Sequence, residues 1–113
     1  MAQFPLLLCG MVALPSLLHG DADRDELSRE FEETIVPFVN TYCLGCHGTE
    51  KPKAKFDLSP YRSLDSVASD FGHWDLVLER LHANEMPPEK AKQHPDQNLR
   101  NQVTTWLERL RRY

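Results

Sequence analysis

Apolar residues along this chain recur at helical spacing in three segments, and no stretch alternates with period two. The first segment runs from about Asp23 to Val36, where Leu27, Phe31 and Ile35 are spaced by four and share one face. Asp25 and Glu26 suit the first turn of such a helix. Pro37 is expected to end or kink it, after which Phe38, Val39 and Tyr42 carry the apolar face up to Cys43. Gly48, Pro52 and Pro60 among charged residues predict an irregular wrap from Gly48 to Ser66. A second helix is expected from Ser69 or Asp70 as N-cap to about Ala83, because Trp74, Val77, Leu78 and Leu81 fall at i, i+3, i+4 and i+7. Met86-Pro87-Pro88 then forms a stiffened loop at the helix exit, since successive prolines cannot continue a helix. A third helix should be capped by Asp96 and bury Leu99, Val103, Trp106, Leu107 and Leu110. The expected fold class is all-α, with about three main helices.

The first 22 residues read differently. Phe4 to Leu18 is an apolar run interrupted by Pro5 and Pro15, and Gly20-Asp21-Ala22 resembles a small-x-small cleavage site. The segment is too short and too proline-broken to span a bilayer comfortably. No Lys or Arg follows Met1, so a retained hydrophobic anchor is the alternative to a cleaved signal peptide over residues 1–22. Cys9 invites a lipoprotein reading, but Leu8 stands before it where a small residue is wanted. The expectation is an exported protein, periplasmic or extracytoplasmic, whose functional domain is 23–113.

The chain has 113 residues, 41% hydrophobic and 27% charged, which fits one globular domain with a modest core. A domain of that size gains much from a bulky apolar cofactor that completes its interior. The net charge of −4, without any long basic run, argues against nucleic acid as a partner. Arg109, Arg111 and Arg112 instead suit a helix C-terminus.

Signal removal would take Cys9 away and leave Cys43 and Cys46 as the only thiols, both inside Cys43-Leu44-Gly45-Cys46-His47. C-x-x-C-H is the pattern for covalent attachment of a c-type haem. Two thiols three positions apart on a helical turn can both reach the haem vinyl groups, and the adjacent His47 becomes the proximal iron ligand. Nε2 is the expected ligating atom, with the other ring nitrogen donating to a backbone carbonyl. Average composition yields this pattern by chance on the order of once in a thousand chains of this length, so the signal is strong. Three other readings stand beside it. A dithiol oxidoreductase expects a strand before C-x-x-C, and none is predicted. A zinc site would need to recruit His73, His82 or His94. A plain disulfide would close too tight a loop to stabilise much.

Met86 is the candidate for the distal ligand, and with the leader gone it is the only thioether. It lies between Glu85 and Pro87 outside any apolar periodicity, on a braced loop far enough along the chain to close over the opposite haem face. His/Met ligation raises the reduction potential. The bland alternative is a core-filling methionine. His82 is a lesser candidate for the same place, while His73 and His94 are expected to be solvated. Trp74 and Trp106 fall on apolar helix faces and are expected in the core. Lys51, Lys53 and Lys55 read as a solvated loop, with haem propionates or a partner as the other option.

The order Val36-Pro37, Tyr42-Cys43-Leu44-Gly45-Cys46-His47-Gly48, Lys53-Ala54-Lys55-Phe56-Asp57-Leu58, a Trp74-containing helix, Met86-Pro87-Pro88 and a closing Trp106-Leu107 helix resembles the planctomycete-type cytochrome c module. The likeness covers nearly all of residues 23–113. It implies a class I-like cytochrome c fold around one covalent haem c, with His47 and Met86 as axial ligands. It also implies either a free carrier or the first module of a longer secreted or periplasmic protein. Single-electron transfer to redox protein partners, by weak transient docking, is the expected function, carried by a protein that is not itself an enzyme. A haem-based ligand sensor, or the electron-entry module of an enzyme, is the alternative.

Overall fold

In a computed structural model, residues 18–113 are described, together with Ala2, Gln3, Pro5 and Gly10. Every regular element among the described residues is helical, so the chain is all-α. The apolar run expected to be a leader lies almost wholly outside the described residues, as do Cys9 and Met11, while Gly20-Asp21-Ala22 sits exposed at the start of the first helix. No helix among the described residues is long and apolar enough to cross a membrane.

Helix α1 spans Leu18–Glu30, five residues earlier than the apolar spacing alone predicts. A π turn, Phe31–Ile35, joins it to α2, Val36–Tyr42. Pro37 therefore does not end the helical run. A proline ring in a regular helix collides with the carbonyl four residues back. Here the Val36 N–H bonds to the Phe31 carbonyl, five residues back, and that wider turn accommodates the ring.

Helix α3, Leu44–His47, follows at once, and a single 3₁₀ turn at Lys53–Lys55 leads into the wrap. The wrap is more ordered than its composition predicts, because Leu64–Ser69 forms a short helix, α4. Ser63 caps it reciprocally: its hydroxyl accepts from the Ser66 N–H while the Ser66 hydroxyl takes the Ser63 N–H. α4 delivers Leu64 and Val67 to the core.

Helix α5, Phe71–His82, begins where expected, but Asp70 makes no side-chain cap and instead accepts a hydrogen bond from the Tyr61 hydroxyl. Its end is a Schellman turn. The Asn84 N–H bonds to the Leu81 carbonyl and the Glu85 N–H to the Arg80 carbonyl, with Asn84 at φ 55°. The chain thus turns before the prolines are reached, and Met86 follows directly.

Helix α6, Gln97–Arg112, is capped by Asp96, whose carboxylate accepts from the Leu99 N–H at 2.7 Å. α6 packs against both α1 and α5. Leu27, Phe31 and Ile35 meet Val103, Trp106, Leu107 and Leu110 in one buried cluster, which Trp74, Leu78 and Leu81 of α5 complete. Each such side chain, fully buried, stabilises the fold by about 1.5–3 kcal/mol relative to exposure. Trp106 keeps its polar atom satisfied, with Nε1 donating to the Leu27 carbonyl at 3.0 Å. At the edge of this interface Arg109 binds both carboxylate oxygens of Glu30, at 2.9 and 2.8 Å.

Candidate haem site

The attachment motif starts where α2 ends. The Cys43 N–H still bonds back to Val39, and the Cys43 carbonyl accepts from both Cys46 and His47, at 3.2 and 2.8 Å. Cys43, Cys46 and His47 therefore share one helical turn, which is the arrangement a doubly attached haem needs. Gly48 closes that turn. A Cβ there would stand 2.7 Å from the Leu44 carbonyl oxygen, so the residue after His47 is limited to glycine by contact rather than by torsion.

His47 is then fixed from two sides by the wrap. Its Nδ1 lies 2.8 Å from the Phe56 carbonyl oxygen, and its own carbonyl accepts the Leu58 N–H at 2.8 Å. A carbonyl cannot donate, so Nδ1 must carry a proton, and in the neutral ring Nε2 is left with its lone pair free. That is the tautomer and orientation an imidazole iron ligand requires. The sequence reasoning anticipated a carbonyl partner but not which one. No local pattern marks Phe56, since the bond depends on the fold of the intervening loop, where Lys51, Ala54 and Lys55 all adopt positive φ. Lys51, Lys53 and Lys55 are exposed, in keeping with a solvated loop.

The two thiols differ. Cys46 is exposed and Cys43 is half-buried. Burial, with the Cys46 thiol adding, pushes the Cys43 thiol up to about 12. Reactive dithiol pairs work through a lowered thiol pKa, so the shift at Cys43 runs opposite to what thiol redox chemistry asks. For a bare ion, no group of three or more His, Cys, Asp or Glu side chains is gathered among the described residues. His82 Nε2 is engaged with Glu108 at 2.8 Å, and His94 Nε2 donates to the Pro88 carbonyl at 2.9 Å.

His73 departs from expectation. Its ring is stacked on Phe56, with centroids 3.8 Å apart and planes 9° from parallel, and Tyr61 lies on it at 5.5 Å. Phe56 in turn meets the His47 ring edge-on at 5.4 Å. The aromatic residues of the wrap draw His73 inward, so its Nε2 is buried and has no hydrogen-bond partner. Trp74 Nε1 is in the same position. Trp74 also lines a cavity of about 250 Å³ beside the attachment turn, with Phe31, Val39, Leu44 and Leu58 as apolar walls and Tyr61 and the exposed Arg62 toward its polar side.

These features fit haem on the evidence of the chain itself. Two thiols sit on one turn beside an imidazole whose Nε2 is free. The apolar-walled cavity adjoins the turn through Leu44. Trp74 Nε1 is buried without a partner and lines the same cavity as Arg62, where a carboxylate such as a haem propionate would supply one. Tyr61, Arg62 and His73 had no periodic or motif signal in the sequence; only the path of the wrap collects them.

Met86 is 39% exposed and stands outside the buried cluster, which counts against a core-filling role. Pro87 beside it is buried, and the Met86 carbonyl accepts a hydrogen bond from Arg100. The loop is therefore anchored while its thioether is not committed to the interior. Comparison with protein families, curated proteins and solved structures finds no match to this chain.

Proposed function

We propose that this chain is an exported c-type cytochrome domain of class I-like fold that carries single electrons, with haem attached through Cys43 and Cys46 and held by His47 and Met86. The observation that carries the reading is the His47 Nδ1 to Phe56 carbonyl bond at 2.8 Å, directly after the C-x-x-C turn. It presets the proximal ligand in the correct tautomer before any iron is present. Haem supplies the ferrous/ferric couple when bound.

The residues supply the rest. The two thiols would hold the group covalently. His47 would ligate it from a turn that Gly48 and Leu58 keep rigid. Trp74 and Leu58 would shield its apolar surface from water, and Met86, on the loop after α5, would supply the second axial ligand. The acidic chain favours partners with a basic face, and docking is brief. The resemblance to the planctomycete-type module implies such a domain either alone or at the front of a longer protein. A ligand-sensing role is the second reading, favoured by one observation, the exposure of Met86.

Expression together with c-type maturation machinery tests the proposal. A red product whose haem survives denaturation and acid-acetone extraction, with a c-type pyridine haemochrome spectrum, is expected. Cys43→Ser with Cys46→Ser should lose covalent haem. A colourless wild-type product under those conditions refutes the reading.

A further inference from the structure

Arg100 is a buried cation that the apolar pattern of α6 does not predict. It is 8% exposed, one turn into the helix, between Leu99 and the core residue Val103. Its Nη1 donates to the Met86 carbonyl oxygen at 2.8 Å and lies 3.5 Å from the Leu81 carbonyl in the last turn of α5. It forms no salt bridge among the described residues. Burying a guanidinium against neutral carbonyls is costly unless those carbonyls are well placed. Here they are. The Leu81 carbonyl belongs to the negative end of the α5 dipole, and the Met86 carbonyl belongs to the residue proposed as distal ligand.

We infer that Arg100 is a positioning residue that pins the backbone of Met86 from α6 and so governs how readily the distal position opens. The inference rests on the His47/Met86 reading. The bond fixes the Met86 main chain to a helix that is itself locked into the core by Val103, Trp106 and Leu107. Met86 then varies mainly through its side-chain torsions, which narrows the range of positions its thioether samples. Glu85, immediately before, is held separately by Arg80, and His94 donates to the Pro88 carbonyl two residues after. Both of those contacts are exposed. Arg100 itself is buried and its bond to the Met86 carbonyl is part-buried, so this charge-assisted bond is less exposed to water than the other two.

The haem-loaded protein tests this through two readouts: the sulfur-to-iron charge-transfer band of the ferric state, and the rate of carbon monoxide binding to the ferrous state. Arg100→Leu keeps an apolar stem and removes the guanidinium with its bond, and loss of one charge-assisted bond should raise the open population, and with it the binding rate, by roughly tenfold or more. Its band should weaken relative to wild type. Arg100→Lys, which keeps the charge but shortens the reach, should fall between the two, and carries the same readings if the leucine variant does not accumulate. Val103→Ala destabilises the same helix without touching the loop, and should leave the binding rate within about twofold of wild type. Wild-type band and rate in both Arg100 variants overturn the inference, as does an equal acceleration in Val103→Ala. A wild-type protein lacking the band overturns the His47/Met86 reading itself, and the inference with it.

Discussion

Replacing Met86 separates a ligand from a filler most directly, because the two roles respond oppositely to leucine. Leucine keeps the volume and apolarity of methionine and removes only the thioether. In a core such a swap usually costs less than about 1.5 kcal/mol, whereas truncation of a buried methionine to alanine costs about 2–5 kcal/mol. Met86 is 39% exposed, so neither substitution opens a cavity in the helical core. The helical framework should therefore survive both Met86→Leu and Met86→Ala, with unchanged far-ultraviolet circular dichroism and full covalent haem. The ligand field should not survive. Both variants should lose the sulfur-to-iron band completely, show a lower reduction potential by spectroelectrochemical titration, and bind carbon monoxide rapidly and stoichiometrically at neutral pH. A filler gives the other pattern, with leucine close to wild type and only alanine perturbed. Retention of the band in Met86→Leu would refute the assignment. Rapid stoichiometric carbon monoxide binding by the wild type would instead favour the sensing role.

Two further outcomes test the frame around His47. Gly48→Ala places a Cβ 2.7 Å from the Leu44 carbonyl and should destabilise the haem-loaded domain by about 1–3 kcal/mol in urea titration; an unchanged midpoint would show that the turn relaxes freely. In protein made without haem attachment, iodoacetamide near pH 8 should alkylate exposed Cys46 well before Cys43, as read by peptide mass spectrometry, and equal labelling would contradict the burial that raises Cys43. The sign for stability follows from the same shift. The folded thiol is raised from 9.0 to about 12, so its contribution is fully present below about pH 9 and fades as pH climbs toward 12.

Local signals in the sequence were enough to determine the three periodic helices, the Asp96 cap, the loop character of Met86 and the placing of Cys43, Cys46 and His47 within one short C-x-x-C-H segment. Each depends on residues within one or two helical turns, where spacing alone decides which side chains share a face. Shorter or compensated features escaped. Six residues of α4 are too few for periodicity, and the π turn that absorbs Pro37 leaves no mark in composition. Asn84, rather than the prolines after it, ends α5.

Tertiary structure alone decided what surrounds the motif. The Phe56 carbonyl that orients His47, the stacking that draws His73 inward, the unpartnered Trp74 Nε1 and the hold of Arg100 on Met86 all join residues from separate elements. The physical reason is that a hydrogen-bond acceptor on the backbone carries no residue-type signature. Any side chain at position 56 presents the same carbonyl, and only the path of the loop brings it to Nδ1. The chemistry of the site was thus written in residue types, while its geometry depended on backbone atoms that every sequence possesses.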